Sequence, residues 1–149
     1  MVDKSSGVTS HDVVSMLRKR LGERRIGHAG TLDPSATGVL IIGVGKATRL
    51  MRFATASNKT YEAEIVFGAE TDTLDADGKV VLRHEMSFSD NDLLSASAKF
   101  LGEIEQIPPM VSALKVSGRR LHELAREGIE IEREARKVRI DRFDLAPTE

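Results

Sequence analysis

The run of residues 27–40 constrains this chain more than any other part of its sequence. It reads Gly-His-Ala-Gly-Thr-Leu-Asp-Pro-Ser-Ala-Thr-Gly-Val-Leu and leads directly into the apolar segment 39–44. Glycines allow backbone conformations that other residues avoid, and the proline restricts the backbone of the acid before it. Folds often place chemistry on such a loop when it is held against a buried strand. Asp33 is the only acid between Glu23 and Glu62, so it is the first candidate for a functional side chain.

Length and composition are typical of a single globular domain. The chain has 149 residues, of which 40% are hydrophobic and 30% charged, which is enough to bury a core. It has no cysteine, which excludes disulfides and thiolate metal sites and fits a reducing compartment. No apolar run reaches the length of a membrane span and the first residues show no signal-peptide pattern, so we expect a cytoplasmic protein with no membrane partner.

The basic residues are clustered although the net charge is only −1. One cluster lies at residues 18–25 and the other near the C-terminus. Their members are Arg18, Lys19, Arg20, Arg24 and Arg25, and Arg133, Arg136, Lys137, Arg139 and Arg142. Local clusters can bind phosphates even on a nearly neutral protein. A solvated helix face explains either cluster equally well when it is taken alone.

Hydrophobic periodicity predicts helices and strands that alternate along the chain. The predicted helices cover 10–21, 46–56, 90–101 and 119–127. The predicted strands cover 39–44, 59–68, 79–83, 112–116 and 138–145. A turn at 75–78 would join 59–68 to 79–83 as a hairpin. This interleaving predicts an α+β fold, with a mixed, largely antiparallel sheet flanked by helices.

Several familiar site patterns fail on spacing. The segment 43–48 lacks the first glycine of a phosphate-binding loop, because Leu40 occupies that position. The turn at 75–78 resembles part of a calcium loop, but its first and twelfth positions would be Thr73 and His84. The four histidines lack zinc-site spacing, and no Gly-x-Ser-x-Gly elbow is present. We therefore predict no metal site, and neither nucleotide-triphosphate nor acyl-transfer chemistry.

Six motifs follow one another along nearly the whole chain. They are Lys4-Ser5-Ser6-Gly7-Val8-Thr9-Ser10, the run 27–38, Gly45-Lys46-Ala47-Thr48-Arg49, Lys59-Thr60-Tyr61, the run 71–78, and the run 106–115. Together, in this order, they resemble the motifs of the TruB family of RNA pseudouridine synthases. The bacterial tRNA-modifying type is the nearer match, because His28 and Ala36 are bacterial in type. The resemblance implies the catalytic fold of these synthases and tRNA, through its T-arm, as the partner.

The resemblance implies that Asp33 is the catalytic carboxylate and that Tyr61 stacks on an extruded uracil. Converting uridine to pseudouridine breaks the glycosidic N–C bond, turns the base and rejoins it through carbon, which needs no cofactor. Attack by the aspartate on the ribose, attack on the ring, and removal of a ribose proton all stay open. Without the resemblance, Asp33 would be taken for an Asx-turn residue and Tyr61 for a half-buried strand aromatic.

Further roles follow from the same resemblance. His28 would take the place of the flipped nucleotide, Arg49 and Lys115 would contact RNA, and Asp75 would be a second active-site acid, although a turn-forming role explains Asp75 nearly as well. The remaining residues would support the catalytic loop; they are Lys4, Gly7, Gly30, Leu32 and Pro34. The segment 105–135 would be a mobile clamp on RNA, and an ordinary helical excursion is its alternative.

The chain departs from the family pattern in two places. Ser5 stands where the family usually has proline. The sequence stops at Glu149, before a Gly-Thr-Tyr-Ile-Arg segment whose arginine pairs with the catalytic aspartate, and before a small RNA-binding domain. We therefore expect 1–149 to be a partial catalytic domain, incomplete at its C-terminus and without that RNA-binding domain. Three functions stay open: an RNA-modifying isomerase, acting alone or completed by another polypeptide; a catalytically silent RNA-binding or folding-assistance chain; and, as a minor alternative, a small hydrolase using Asp33.

Overall fold

The computed structural model describes residues 1–110, 112, 115–116 and 118–146. The chain divides into two compact units, Met1–Glu62 and Ala63–Glu149, and each is described by itself. Across the described residues, no helix combines the length and apolar character required to cross a bilayer.

A three-stranded antiparallel sheet organises the first unit. Its strands are β1 (Val2–Lys4), β2 (Ile26–Ala29) and β3 (Gly38–Val44), in the spatial order β1-β3-β2. Lys4 pairs with Gly38, and Ala29 pairs with Ile41. The loop 30–37 therefore joins two neighbouring strands, and the end of β1 lies beside the point where that loop enters β3. The predicted strand 39–44 is confirmed, whereas β2 is too short to show alternation in the sequence.

Helix α1 (Ser10–Leu21) has the bounds that the sequence predicts, because both ends carry local signals. Thr9 caps the N-terminus: its hydroxyl accepts from the Asp12 backbone N–H at 3.0 Å, and the Asp12 carboxylate accepts from the Thr9 backbone N–H at 2.9 Å. Gly22 ends the helix in the left-handed conformation, with φ of 63°. Val13 and Val14 bury the apolar face of the helix, being 5% and 1% exposed.

The capping interaction between Thr9 and Asp12 should make the stability of the fold depend on pH. Hydrogen bonds from the Thr9 hydroxyl and then the Thr9 backbone lower the pKa of Asp12 below its ordinary value of 3.8. Because the pKa is lowered in the folded chain, the ionised carboxylate of Asp12 stabilises the fold fully at pH values above 3.8. This stabilisation is lost as the pH falls below that value and the carboxylate takes up a proton. We expect Asp12→Asn to lower the Tm, measured by circular dichroism, at pH 7 but much less at pH 2. An equal decrease at both pH values would contradict this account.

The first unit ends in helical turns and an extended segment. A 3-10 helix (Gly45–Leu50) continues into α2 (Met51–Thr55), which confirms the helix predicted near 46–56. Residues 58–66 lie in neither helix nor strand, so the predicted strand 59–68 is wrong. The residues alternate as in a strand, but a strand also needs a neighbouring backbone to complete its hydrogen bonds, and none does so within the described residues.

Over its described residues, the second unit contains three antiparallel two-stranded sheets and two helices. In chain order its elements are β4 (Ala69–Thr71), β5 (Val80–Arg83), α3 (Asp90–Ala98), β6 (Gly102–Gln106), β7 (Lys115–Val116), β8 (Arg119–Arg120), α4 (Leu121–Arg126) and β9 (Arg136–Ile140). The sheets pair β4 with β5, β6 with β9, and β7 with β8. The hairpin partner of β5 is thus β4 and not 59–68 as predicted. Helices interleaved with antiparallel strands confirm the α+β class.

Candidate active site

The loop between β2 and β3 presents Asp33 to solvent on a tight turn. The backbone N–H of Ala36 donates to the Asp33 carbonyl at 3.1 Å, which closes a turn with Pro34 at its second position. The side chain of Asp33 is exposed. Within the described residues, its carboxylate accepts no hydrogen bond, so the Asx-turn that would give it a structural role is not formed. The turn uses the backbone of Asp33 and leaves its carboxylate available.

Lys4 holds the residue that follows Asp33. Its ammonium donates to the carbonyls of Ser5 at 3.0 Å, Val8 at 2.7 Å and Pro34 at 3.2 Å, and the residue is only 1% exposed. Three donors meeting three acceptors make the burial of this charge tolerable. Gly7, in the left-handed conformation with φ of 84°, brings its N–H to the same Pro34 carbonyl at 2.8 Å. Lys4 and Gly7, which the resemblance assigns to support of the catalytic loop, thus both donate to the carbonyl of Pro34.

Ser10 holds the residue that precedes Asp33. Its hydroxyl accepts from the Leu32 backbone N–H at 2.9 Å and donates to the Leu32 carbonyl at 3.2 Å, and the residue is 2% exposed. From the sequence, Ser10 is placed only at the end of the first motif and at the start of the first predicted helix. The backbone of the chain is therefore fixed on both sides of Asp33, by β1 and its turn and by the first residue of α1.

His28 and Gly30 lie at the start of the same loop. His28 is half-buried in β2, and its Nδ1 lies 2.5 Å from the Gly30 carbonyl oxygen. Because a carbonyl can only accept, Nδ1 carries the proton and donates it. Gly30 has a φ of 89°, and a Cβ built there would lie 3.7 Å from Lys59 Cε. The side chain of Lys59, two positions before Tyr61, thus lies beside the loop. Tyr61 itself is 69% exposed.

The other predicted site residues belong to both units of the chain. Arg49 is exposed at the end of the 3-10 helix in the first unit. Asp75 belongs to the second unit, where its carboxylate accepts from the Thr73 hydroxyl at 2.5 Å and from the Asp77 backbone N–H at 3.0 Å. Asp75 therefore organises its own turn, and its role as a site residue stays a prediction. The backbone of Lys115 lies in β7, and its side chain is outside the part of the chain that the structure describes.

Sequence reasoning assigned no particular role to Arg133, which lines a hollow of about 190 Å³ in the second unit. The other lining residues are Asp72, Thr73, Leu74, Pro109, Met110 and Glu130. Nε and Nη1 of Arg133 are buried and have no hydrogen-bond partner within the described residues. Buried donors of this kind favour the arrival of an acceptor. Across the same residues, no three acidic or histidine side chains come together as a metal site would require.

The family pattern and the similar proteins that this chain matches agree with one another. The pattern described as "TruB family pseudouridylate synthase (N terminal domain)" matches residues 18–149. The chain is 52% identical over 143 residues to tRNA pseudouridine synthase B of Symbiobacterium thermophilum, covering 95% of this chain and 48% of that protein. It is 51% identical over 146 residues to the protein of the same name from Mycobacterium sp. (strain KMS), covering 97% of this chain and 49% of that protein.

A solved structure also resembles the chain. The crystal structure of a Cbf5-Nop10-Gar1 complex matches with a TM-score of 0.50 and 27% identity, over 76% of this chain and 29% of the matched chain. The chain spans about half the length of the curated relatives that it matches.

Proposed function

Because the chain belongs to the TruB family of pseudouridylate synthases, we propose that it carries the catalytic loop of a tRNA pseudouridine synthase. Its substrate is the uridine at position 55 in the T-loop of tRNA, and this tRNA substrate implies action in the cytoplasm. One observation carries the proposal: the backbone around Asp33 is held on both sides, while the carboxylate of Asp33 is exposed. A fixed acid at the surface suits a reaction on a base that has been drawn out of its stack.

The reaction is an isomerisation, and this agrees with a site built from one acid and one phenol. The glycosidic bond to N1 of uracil breaks, the base turns, and a new bond forms to carbon C5. C5 loses its proton and N1 gains one, so no atoms or electrons are left over and no cofactor is required. Asp33 acts as the nucleophile or as the base that starts the cleavage, and Tyr61 stacks on the uracil and relays the ring proton.

The remaining site residues bind RNA in this proposal. His28 donates through Nδ1 to Gly30, which leaves Nε2 and the ring edge to enter the space vacated by the flipped nucleotide. Arg49, Lys115 and the unpaired donors of Arg133 supply contacts to phosphates, and the segment 105–135 closes on the T-arm. Residues 1–149 act as a partial catalytic domain, and a second polypeptide equivalent to the rest of a relative completes it.

One observation favours a second function, that of a catalytically silent RNA-binding chain. The family resemblance implies an arginine that pairs with the catalytic aspartate, but within the described residues no cation lies within ion-pair distance of the Asp33 carboxylate. Without that partner the carboxylate is oriented less firmly, and the developing charge of the reaction is less well stabilised.

Activity with and without the C-terminal half of a relative distinguishes the two functions. We expect the 149-residue chain alone to release the C5 tritium of labelled tRNA at least about 100-fold more slowly than the complete Symbiobacterium relative, because one electrostatic partner is worth about that much. Expressing the chain together with the C-terminal half of that relative should restore turnover. Full activity of the chain alone would refute its dependence on a second half, and no pseudouridine in either case would favour the silent RNA-binding chain.

A further inference from the structure

The structure distinguishes the two basic clusters that look alike in the sequence. In the cluster near the C-terminus, three of the five members form ion pairs: Lys137 with Glu103, Arg139 with Asp141, and Arg142 with Asp144. In the cluster at residues 18–25, the only ion pair within the described residues joins Arg25 Nε to Glu23 Oε1 at 3.9 Å. The cluster at 18–25 therefore keeps most of its charge, whereas more than half of the other is neutralised.

Backbone contacts bring a second group of cations to the cluster at 18–25. Strand β2 begins at Ile26, directly after the cluster, and Ile26 pairs with Val44 at the end of β3. The N–H of Gly45 donates to the Arg25 carbonyl at 2.7 Å, so the chain after β3 starts beside the chain before β2. We call the exposed cations of these two segments the basic end of the sheet; they are Arg24, Arg25, Lys46, Arg49 and Arg52.

An aromatic ring accompanies the basic end of the sheet. Phe53 in α2 is 62% exposed, and Cζ of Arg52 lies 4.7 Å from the centroid of its ring. Helix α2 is fixed to the sheet: it packs against β2, and a Cβ built on Gly43 would lie 2.9 Å from Met51 Sδ. Proteins that hold unpaired nucleic acid combine such stacking groups with cations that bind phosphates.

Net charge differs between the two units in the same sense. With histidine neutral, Met1–Glu62 has ten basic and five acidic residues, and Ala63–Glu149 has twelve basic and eighteen acidic ones. The first unit therefore carries +5 and the second −6. Between Val13 and Tyr61 the only acids are Glu23 and Asp33. A positive charge concentrated in this way attracts a polyanion, although the whole chain is nearly neutral.

The position of the basic end indicates which part of an RNA it meets. Loop 30–37, with Asp33, joins one end of β3, and the basic end adjoins the other; the seven residues of β3 span about 20 Å. In a T-arm hairpin the unpaired bases lie in the loop on which Asp33 would act, and the stem bases are paired. An unpaired base that stacks at the basic end therefore comes from another part of the tRNA.

We infer that the basic end of the sheet binds a second segment of the tRNA, outside the T-arm hairpin. Arg24 and Lys46 bind its phosphates, and one unpaired base stacks on the pair formed by Arg52 and Phe53. Arg49, between Lys46 and Arg52, joins this surface to the RNA contacts already proposed. The inference rests on the proposed function, because it takes tRNA as the substrate.

Filter binding of two RNAs to the 149-residue chain tests this surface. Arg24→Glu combined with Lys46→Glu should raise the Kd for full-length tRNA at least about tenfold at about 0.1 M salt, and should leave the Kd for the T-arm hairpin within about twofold. The slope of log Kd against log salt for the full-length tRNA should fall by about 1.5, because two phosphate contacts are lost. The matched control is Arg139→Glu combined with Arg142→Glu, which changes the charge equally at cations already paired with acids, and its Kd should stay within about twofold.

Phe53→Ala tests the stacked base separately from the charges. It should raise the Kd for full-length tRNA about fivefold or more, because a base loses its stacking partner, and should leave the salt slope unchanged, because the ring carries no charge. The Kd for the T-arm hairpin should again stay within about twofold.

Three results would overturn the inference. Equal losses of affinity for the hairpin and the full-length tRNA would assign the basic end to the hairpin itself, and an equal loss in the control would show only general attraction between charges. Unchanged affinity for both RNAs would leave the surface to solvent or to an acidic protein. Pseudouridine formation on the hairpin is measured separately, in the chain assembled with the C-terminal half of a relative, and Arg24→Glu with Lys46→Glu should keep it. An inactive assembly without these substitutions would refute the catalytic proposal, whereas the comparison of the two RNAs would still decide this one.

Discussion

Replacing Asp33 by asparagine is expected to lower pseudouridine formation at least about 1,000-fold in the chain assembled with the C-terminal half of a relative. The amide has nearly the shape of the carboxylate, but it is neither a nucleophile nor a base at neutral pH. The side chain is exposed and accepts no hydrogen bond within the described residues, so the substitution should not change the stability of the fold. The loss should therefore appear in turnover and not in stability.

Two measurements separate catalysis from binding for this variant. Tritium release from labelled tRNA gives turnover, and filter binding of a T-arm hairpin should give a Kd within about twofold of the unchanged protein, since one exposed side chain changes phosphate contacts little. The matched control is Asp77→Asn, at another exposed acid on a turn, which should keep normal turnover. If Asp33→Asn retains turnover within tenfold of normal, the acid at this position is not the catalytic group.

Lys4→Met should destabilise the first unit, because it removes a buried ammonium that holds three backbone carbonyls. Methionine fills nearly the same volume but leaves the carbonyls of Ser5 and Val8 without the donor that now satisfies them, whereas Pro34 keeps the N–H of Gly7. A carbonyl that loses its partner away from water costs about 1–3 kcal/mol, and these two contacts are part-buried, so we expect a loss of about 1–3 kcal/mol in the free energy of unfolding. Turnover should also fall, because the turn after Asp33 loses its anchor.

Urea unfolding of the 149-residue chain, followed by circular dichroism, measures this loss. The matched control is Lys59→Met: the ammonium of Lys59 also donates to backbone carbonyls, those of Thr55 at 2.8 Å and Ser57 at 3.0 Å, but Lys59 is exposed. Water can replace an exposed donor, so we expect the control to cost less than about 1 kcal/mol. Equal losses from the two variants would show that burial of the Lys4 ammonium is not what holds the loop.

Local signals account for the parts of the fold that could be predicted. Helix α1 was predicted with its bounds because Thr9 and Gly22 act on residues only a few positions away. Strand 59–68 was predicted wrongly because alternation shows only which face a residue would take, whereas pairing requires another segment of backbone. The hairpin of β4 and β5 was misassigned for the same reason. The sequence shows its turn at 75–78, but it does not show which strand pairs with β5.

The sequence alone determined the family, the α+β class and the identity of the loop around Asp33, because glycine spacing, proline and capping residues act over short distances. Only the tertiary structure decided how that loop is held. Ser10 reaches Leu32 across 22 positions, and Lys4 reaches Pro34 across 30. A buried hydrogen bond between distant residues depends on where the sheet and α1 bring their backbones, and no local pattern records that position.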